Sequence, residues 1–229
     1  ERGDWMLRDL WELFARTGMF KGTLETLYMV FFSTLFAYLI GVPLGVLVVV
    51  TDKEGIKPNR ILNLLLGTII NLFRSIPFLI LLVLLIPFTR LVVGTSIGST
   101  AILVPLTFAS TVFVARLVET ALKEVDRGVI EQALVSGATP AQIVFKVYLA
   151  EATPALIRGL AITGINLIGY SAMAGAVAGG GLGDIAIRYG YHKYNYRVML
   201  VTVVILVLIV QAIQFVFDRI ARRVDKKRL

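Results

Sequence analysis

The chain has 229 residues, of which 57% are hydrophobic and 17% are charged, and its mean hydropathy is +0.83. About a quarter of the residues in an ordinary soluble domain are charged, so this composition excludes a water-soluble globular protein. The absence of cysteine excludes disulfides, thiolate metal sites and cysteine nucleophiles. Basic residues that flank apolar runs in a bilayer explain the net charge of +8 better than nucleic-acid binding does.

Residues 1–22 predict an amphipathic helix that lies along the membrane interface. Leu7, Leu10, Trp11 and Phe14 recur at helical spacing, and Asp4 precedes them as a candidate N-cap. A lipid-surface anchor is the simpler interpretation of this pattern, and docking of a partner protein is the alternative. Because the sequence begins with Glu1 rather than Met, we expect a few residues to precede it.

Five long apolar runs predict a transmembrane domain over residues 23–218. The runs cover residues 26–50, 61–89, 91–115, 159–183 and 198–217. About 20 helical residues are needed to cross a hydrocarbon core of about 30 Å, so each run is long enough. We therefore predict an all-α, polytopic membrane protein with five transmembrane helices, followed by a basic cytoplasmic tail over residues 219–229.

The distribution of basic residues predicts the orientation of this domain. Five spans place the termini on opposite faces, with fourteen Lys and Arg residues on the face of the C-terminus and eight on the other. Positively charged loops stay in the cytoplasm. We therefore expect the C-terminus inside the cell and the N-terminus outside.

The polar crossover between the third and fourth runs, at about residues 126–152, predicts a helix, a turn and a second helix. Residues 126–134 are amphipathic, and Gly137 is a candidate for the left-handed residue that ends a helix. A short helix then begins with the pattern of a capping box and runs to about Tyr148. Its start signal consists of Thr139, Pro140 and Gln142.

The end of this short helix is also predicted from the sequence. Thr153 and Pro154 repeat the start signal, so we expect a second corner there, from which the fourth span begins. The short helix would then offer apolar side chains to a partner. These are Ile143, Val144, Val147 and Tyr148. The simpler interpretation is a connecting loop that covers its own bundle.

The crossover resembles the EAA loop of ABC importer permeases. The matching residues are Glu131, Gln132, Ala133, Gly137, Val147 and Leu149, with Gln132 in place of the second Ala, Val147 in place of Ile, and Ala150 in place of Pro. This resemblance implies that the loop couples the chain to a separate ATPase. The coupling residues would be Glu131, Ala133, Gly137, Ala138, Thr139, Pro140, Gln142 and Ile143.

Other segments resemble the methionine-uptake permeases of this family. They are residues 73–78, 86–90, 94–98, 169–177, 180–183 and 189–191. The resemblance implies a homodimer of five-helix subunits in the bacterial inner membrane, with two cytoplasmic ATPase subunits docked on the EAA loops. It also implies a binding protein that delivers methionine from outside. ATP and magnesium would be bound by the ATPase, so we expect no cofactor in this chain.

The energy source can be argued independently of the resemblance. The sequence contains no Gly-x-x-x-x-Gly-Lys-Ser/Thr phosphate loop, and its glycine run over residues 179–183 is followed by Asp184 rather than Lys. The only histidine is His192, which leaves no histidine-based metal site or catalytic constellation. We therefore expect neither catalytic nor metal-binding residues, and we expect any ATP to be hydrolysed by another chain.

Arg74 is the one charge inside an apolar run, where it would cost about 2.5 to 3.5 kcal/mol at a helix centre. Pro77 frees the backbone carbonyl of Phe73, so we expect the guanidinium of Arg74 to brace that carbonyl. The alternative is that Arg74 lines the translocation pathway and meets the carboxylate of an amino-acid substrate.

The fourth run contains the candidate gate and the candidate dimer contact. Ser171, Gly175 and Gly179 recur every four residues, which predicts a smooth helical stripe for close dimer packing. Asn166 and Tyr170 lie on or near the same inner surfaces. Met173 is most simply a gap filler, but the resemblance implies that it closes the pore as an apolar gate.

Together with these observations, the resemblance implies an importer permease for methionine that works by alternating access. The nearest alternative is the same machine carrying another small amino acid or an osmolyte. An ion-coupled secondary transporter usually has repeated broken helices and buried carboxylates, whereas Glu25 and Asp218 sit at the ends of spans. A membrane-embedded hydrolase would need a buried His, Asp or Glu constellation that the spans lack.

Overall fold

The structure, a computed structural model, describes residues 12–224, and these residues form helices and turns without a strand. Leu7, Leu10 and Trp11 of the predicted interfacial helix lie outside the described residues. Residues 12–17 are helical, and Leu13 and Phe14 pack against a buried cluster around Met19. This end of the predicted helix therefore contacts the protein itself.

The helices follow one another with short connections. In chain order they are α1 Met19–Thr51, α2 Arg60–Arg74, α3 Phe78–Leu84, α4 Ile86–Val93, α5 Ser99–Lys123, α6 Arg127–Val135, α7 Pro140–Ile143, α8 Leu149–Ala174, α9 Gly181–Ile185 and α10 Tyr196–Val224. The π-helical turns Val144–Tyr148 and Ala186–Tyr191 follow α7 and α9, and the 3₁₀ turn Gly175–Val177 follows α8.

The long helices account for the predicted spans. Among the described residues, four helical stretches are long and apolar enough to cross a membrane: Met19–Thr51, Ser99–Lys123, Pro140–Val177 and Tyr196–Val224. The broken pair α2 and α3 is a fifth candidate if it is counted as one span. The prediction of an all-α membrane protein is confirmed.

The second apolar run is the one that differs most from a single helix. It is divided into α2, α3 and α4. Pro77 lacks an N–H and disfavours the helical conformation at Ile76, so α2 ends at Arg74. Further along, Gly94 ends α4 in the left-handed conformation, with φ of 81°.

By internal contacts the described chain divides into two compact units. The first unit contains the residues up to Ser33 together with Phe78–Thr107 and Gly164–Ile213, and the second contains Thr34–Pro77, Phe108–Thr163 and the residues from Gln214. In the first unit, the side chains of Met19, Ile185 and Val198 form one buried cluster.

The second unit has its core around the crossover predicted from the sequence. Buried side chains of α1, α5 and the crossover pack together there. They are Ala37, Val49, Val114, Val118, Ala121, Leu122, Val125, Ile143, Tyr148 and Ala152. Gly41 and Gly45 allow α1 to approach α5, since an added Cβ on Gly45 would lie 2.6 Å from the carbonyl oxygen of Ala115.

The predicted second corner at Thr153 and Pro154 is wrong. The chain continues from α7 through the π-helical turn Val144–Tyr148 directly into α8, and Pro154 lies inside that helix. The hydroxyl of Thr153 donates to the carbonyl of Leu149 within the helix at 2.7 Å. Pro154 removes one backbone hydrogen bond inside this helix, but the helix continues past it to Ala174.

The predicted helical stripe of Ser171, Gly175 and Gly179 is also not formed. Helix α8 ends at Ala174, and the chain turns away through a 3₁₀ turn and the left-handed Ala178, with φ of 57°. A spacing of four residues places side chains on one face only while the helix continues. Gly175 and Gly179 therefore belong to a turn.

Candidate functional site

Two regions carry the residues singled out by the sequence: the crossover in the second unit and the glycine-rich end of α8 in the first. In the crossover, Asp126 caps α6 by accepting a hydrogen bond from the N–H of Gly128 at 2.7 Å. Gly137 has φ of 76°. Its N–H donates to Leu134, and the N–H of Ala138 donates to Ala133, both at 3.0 Å. This is a Schellman ending, as the sequence predicts.

The predicted capping box of α7 is confirmed. The N–H of Gln142 donates to the hydroxyl of Thr139 at 3.3 Å, and the N–H of Thr139 donates to the side-chain oxygen of Gln142 at 2.8 Å. Pro140 is at the first helical position, where its missing N–H has no cost. The start of α7 is therefore fixed by its own sequence.

The crossover has one face that packs on the second unit and one that is open. Ala133 and Ala138 pack against the core, in which Ile143 is fully buried and Tyr148 is 4% exposed. Ile143 and Tyr148 therefore anchor the crossover and do not offer their side chains to a partner, contrary to the sequence prediction. The predicted coupling residues on the open face are Glu131, Gly137, Thr139, Pro140 and Gln142.

The sequence reasoning missed the apolar side chains of this open face. Val135 is 90% exposed, Phe145 is 70% exposed and Leu134 is 47% exposed. Large apolar side chains that stand in solvent beside a rigid turn mark an interaction surface. The sequence did contain a signal for this face. In a helix, Val135 lies two positions after Ala133, with Leu134 between them, and therefore points to the opposite side.

The candidate gate residues at the end of α8 differ in exposure and in contacts. Met173 is 51% exposed, whereas Ser171 is 1% exposed and its hydroxyl donates to the carbonyl of Ile168 at 2.8 Å. Tyr170 stacks on Phe78, with ring centroids 4.5 Å apart. Asn166 is half-buried. Met173 is thus open on a helix whose adjacent turn is tightly held.

The tightly packed segment after α8 consists of residues 174–185, which we call the glycine corner. A Cβ on Gly175 would lie 2.2 Å from the carbonyl carbon of Gly183, and a Cβ on Gly183 would lie 2.5 Å from the Cα of Ala172. Backbone therefore packs directly on backbone. A Cβ on Gly179 would lie 2.6 Å from the carbonyl oxygen of Ala174.

Two polar side chains of α1 clamp the glycine corner. The carboxylate of Glu25 accepts from the N–H of Gly181 at 2.8 Å, and the buried hydroxyl of Thr26 accepts from the N–H of Leu182 at 2.9 Å. The backbone donors of Gly181 and Leu182 are thus occupied by oxygens of this chain, one of them anionic. This agrees with the prediction that the run is no phosphate loop.

Arg74 does not make the predicted brace. It is the last residue of α2 and is exposed, and the carbonyl of Phe73 accepts from the N–H of Ile76 at 3.3 Å. The N–H of Ile76, just after the helix, therefore occupies the carbonyl that the guanidinium of Arg74 was expected to bind. Arg74 lines an open groove of about 430 Å³ in the second unit, together with Arg116 and Arg158.

No group of three or more His, Cys, Asp or Glu side chains within residues 12–224 could hold a metal ion. The polar residues of both regions instead make helix caps, clamps and ion pairs.

The profile of the binding-protein-dependent transport system inner membrane component family matches residues 38–229. The chain belongs to this family. It is a transport permease with several membrane-spanning helices, as the sequence predicted.

Individual relatives align with this chain over most of its length. The probable D-methionine transport system permease protein MetI of Vibrio cholerae is 51% identical over 91% of this chain and 93% of its own length. The methionine import system permease protein MetP of Bacillus subtilis is 47% identical over 92% and 95%. A solved structure of the MetNI methionine ABC transporter in inward-facing conformations has a TM-score of 0.90 to this chain, at 52% identity over 91% of this chain and 96% of its own.

Proposed function

We propose that the chain is the membrane-spanning subunit of an ATP-driven importer for methionine. The family membership, the printed functions of relatives that are about half identical, and the likeness to a methionine transporter support this substrate. Alternating access moves the solute when the two halves of a membrane assembly exchange inward-open and outward-open states. This chain supplies the path, and a separate ATPase supplies the energy.

The observation that carries the coupling role is the open face of the crossover. Val135 and Phe145 are strongly exposed apolar residues on either side of α7, whose start is fixed by its capping box. A partner that binds there pushes on a rigid element, because Ile143 anchors α7 in the core of the second unit. We assign the coupling surface to Glu131, Gly137, Thr139, Pro140 and Gln142, with Val135 and Phe145 as its apolar contacts and with Ala133, Ala138 and Ile143 as its anchor in the core.

The proposed gate is Met173. It is half exposed and lies at the last turn of α8, next to the glycine corner, so its backbone is fixed while its side chain is free to adapt. Tyr170 and Asn166 are the other proposed pathway residues of the first unit, and the buried Ser171 supports their helix. Arg74 is proposed separately, as a pathway residue of the second unit. Gly175 and Gly179, which the sequence suggested for dimer packing, are packed within the chain, so their role in this proposal is to hold the glycine corner in shape.

The complete transporter in this proposal contains two copies of the permease, two ATPase subunits that bind ATP and magnesium, and an extracytoplasmic binding protein. The chain lies in the bacterial inner membrane with its C-terminus and crossover in the cytoplasm.

Reconstitution tests the proposed function. We expect proteoliposomes with the permease, its ATPase and its binding protein to accumulate methionine only when ATP is present on the ATPase side. Competition with other small amino acids and osmolytes then tests the substrate. Uptake by the purified permease alone, driven by an ion gradient, would instead establish a secondary transporter.

Substitution of Met173 by Ala tests the gate in the same vesicles. Loss of the long side chain opens the pathway, so we expect a higher solute leak or higher basal ATP hydrolysis. Substitution of Met199, which packs against Gly190, by Leu is the matched control. Unchanged leak and unchanged hydrolysis in Met173→Ala would remove this residue from the gate.

A further inference from the structure

The first loop, residues 52–59, is joined to the crossover by charges that the coupling proposal does not use. The Nζ of Lys123 lies 2.8 Å from a carboxylate oxygen of Asp52 and 3.0 Å from one of Glu119. The guanidinium of Arg127 pairs with Glu54. Lys123 is the last residue of α5 and Arg127 is the first of α6, so the two pairs hold the junction where the crossover begins. We call Asp52, Glu54, Lys123 and Arg127 the ionic clasp.

The loop that carries Asp52 and Glu54 is itself tightly folded against the end of α1. The N–H of Gly55 donates to the carbonyl of Asp52 at 2.9 Å, and the N–H of Lys57 donates to that of Val50 at 3.0 Å. A Cβ on Gly55 would lie 2.4 Å from the carbonyl oxygen of Val49. The loop therefore moves with the end of α1 and does not act as a loose tether.

The clasp bridges a space that apolar packing leaves open. A cleft of about 470 Å³ lies between the loop and the crossover, lined by Asp52, Glu54, Lys123, Arg127, Glu131, Tyr148 and their neighbours. Exposed ion pairs contribute only about 0 to 1 kcal/mol each to stability. Two such pairs across an open cleft add little to folding, but they join its two walls.

We propose that Asp52 and Glu54 are positioning residues for energy coupling, which transmit movement of the crossover to the end of α1 through Lys123 and Arg127. This inference rests on the proposed function, because it requires that an ATPase drives the crossover. Without the clasp, α6 could tilt into the cleft when the ATPase pushes on it, and ATP would be hydrolysed without moving α1.

The test is the number of solute molecules transported per ATP hydrolysed, measured with the full transporter in proteoliposomes. Coupling between two sites is typically worth a factor of about 5 to 150. We expect Asp52→Asn combined with Glu54→Gln to lower this ratio by about fivefold or more while ATP hydrolysis continues. Lys57→Gln, which removes another charge from the same loop, is the control and should keep the wild-type ratio.

A charge exchange separates transmission from mere folding. Glu54→Arg alone and Arg127→Glu alone each place like charges together, so we expect both to uncouple. The double variant restores an opposite pair between exposed side chains, and Glu is favourable at the first position of a helix, so we expect it to recover the wild-type ratio. A double variant that stays uncoupled, or neutral variants that stay fully coupled, would overturn the clasp. If the wild-type transporter itself shows no ATP-dependent uptake, the proposed function fails instead.

Discussion

The glycine corner and the turn of the crossover both depend on glycine, but for different physical reasons. Gly137 needs its left-handed conformation, with φ of 76°, and nothing lies within 4 Å of a Cβ added there. Gly175 needs to lack a side chain, because a Cβ would lie 2.2 Å from backbone. One glycine shapes a surface that a partner can reach, and the other lets the chain pack on itself. Substitution of Gly175 should therefore reduce stability, and substitution of Gly137 should disturb coupling to a partner.

The largest effect is expected for Gly175→Val. Backbone atoms of Gly183 and Asp184 cannot move aside as a flexible side chain can, so we expect a loss of about 3 kcal/mol or more of folding free energy. The melting temperature in detergent and the yield of inserted protein measure this. Gly169→Ala is the control, since nothing lies within 4 Å of a Cβ there. A wild-type melting temperature for Gly175→Val would mean that the corner is not packed as described.

Gly137→Val should leave insertion intact but uncouple transport. A non-glycine residue in the left-handed conformation costs about 1 to 2 kcal/mol, and the turn relieves this strain by changing the direction of α7. We expect ATP hydrolysis by the partner to continue while methionine uptake falls. Gly137→Asn is the matched control, because Asn adopts this conformation more readily. Fully coupled transport in Gly137→Val would refute the role of the turn.

Thr26→Ala should weaken the clamp on the glycine corner without removing it. The change leaves the N–H of Leu182 without its buried acceptor, which costs about 1 to 3 kcal/mol. We expect a lower melting temperature for Thr26→Ala and a value close to wild type for Thr26→Ser, which keeps the hydroxyl. Equal melting temperatures for the two variants would show that the hydrogen bond to Leu182 does not hold the corner.

The smallest effect concerns Asp52 in the ionic clasp. A hydrogen bond from Lys123 is the main reason that the pKa of Asp52 is lowered from its ordinary value of 3.8. A carboxylate whose pKa is lowered on folding stabilises the folded state at a pH above its ordinary pKa. This stabilisation is lost as the pH falls through the lowered pKa. At neutral pH, we expect the free energy of unfolding of wild type to exceed that of Asp52→Asn by about 1 kcal/mol or less. The difference should shrink below pH 3.8 and in high salt; a difference that grows on acidification would contradict the ion pair.

Local sequence signals predicted the crossover well because its turns are determined by neighbouring residues. The cap at Thr139, the proline at position 140 and the left-handed Gly137 each depend on backbone groups within a few positions. Hydrophobic runs also predicted the long apolar helices, of which the described residues contain four, or five if the bent pair α2 and α3 is counted as one span, since length and composition decide whether a helix can cross a bilayer.

Long-range packing could not be predicted in the same way. The clamp of Glu25 and Thr26 on Gly181 and Leu182 joins residues 156 positions apart, and the segment that it holds follows the end of α8 at Ala174. Helical spacing beyond this point was therefore misleading. The second corner at Pro154 failed for the opposite reason, since a local start signal was overridden by a continuing helix.

Accessibility of a single cysteine at position 135 tests the central claim most directly. The chain contains no cysteine and Val135 is 90% exposed, so Val135→Cys gives one defined target for a membrane-impermeant maleimide. We predict labelling in inside-out vesicles but not in intact spheroplasts, and protection when the ATPase subunit is bound. Labelling from the outer face, or labelling that the bound ATPase leaves unchanged, would contradict the assignment of the crossover as the docking surface of the motor.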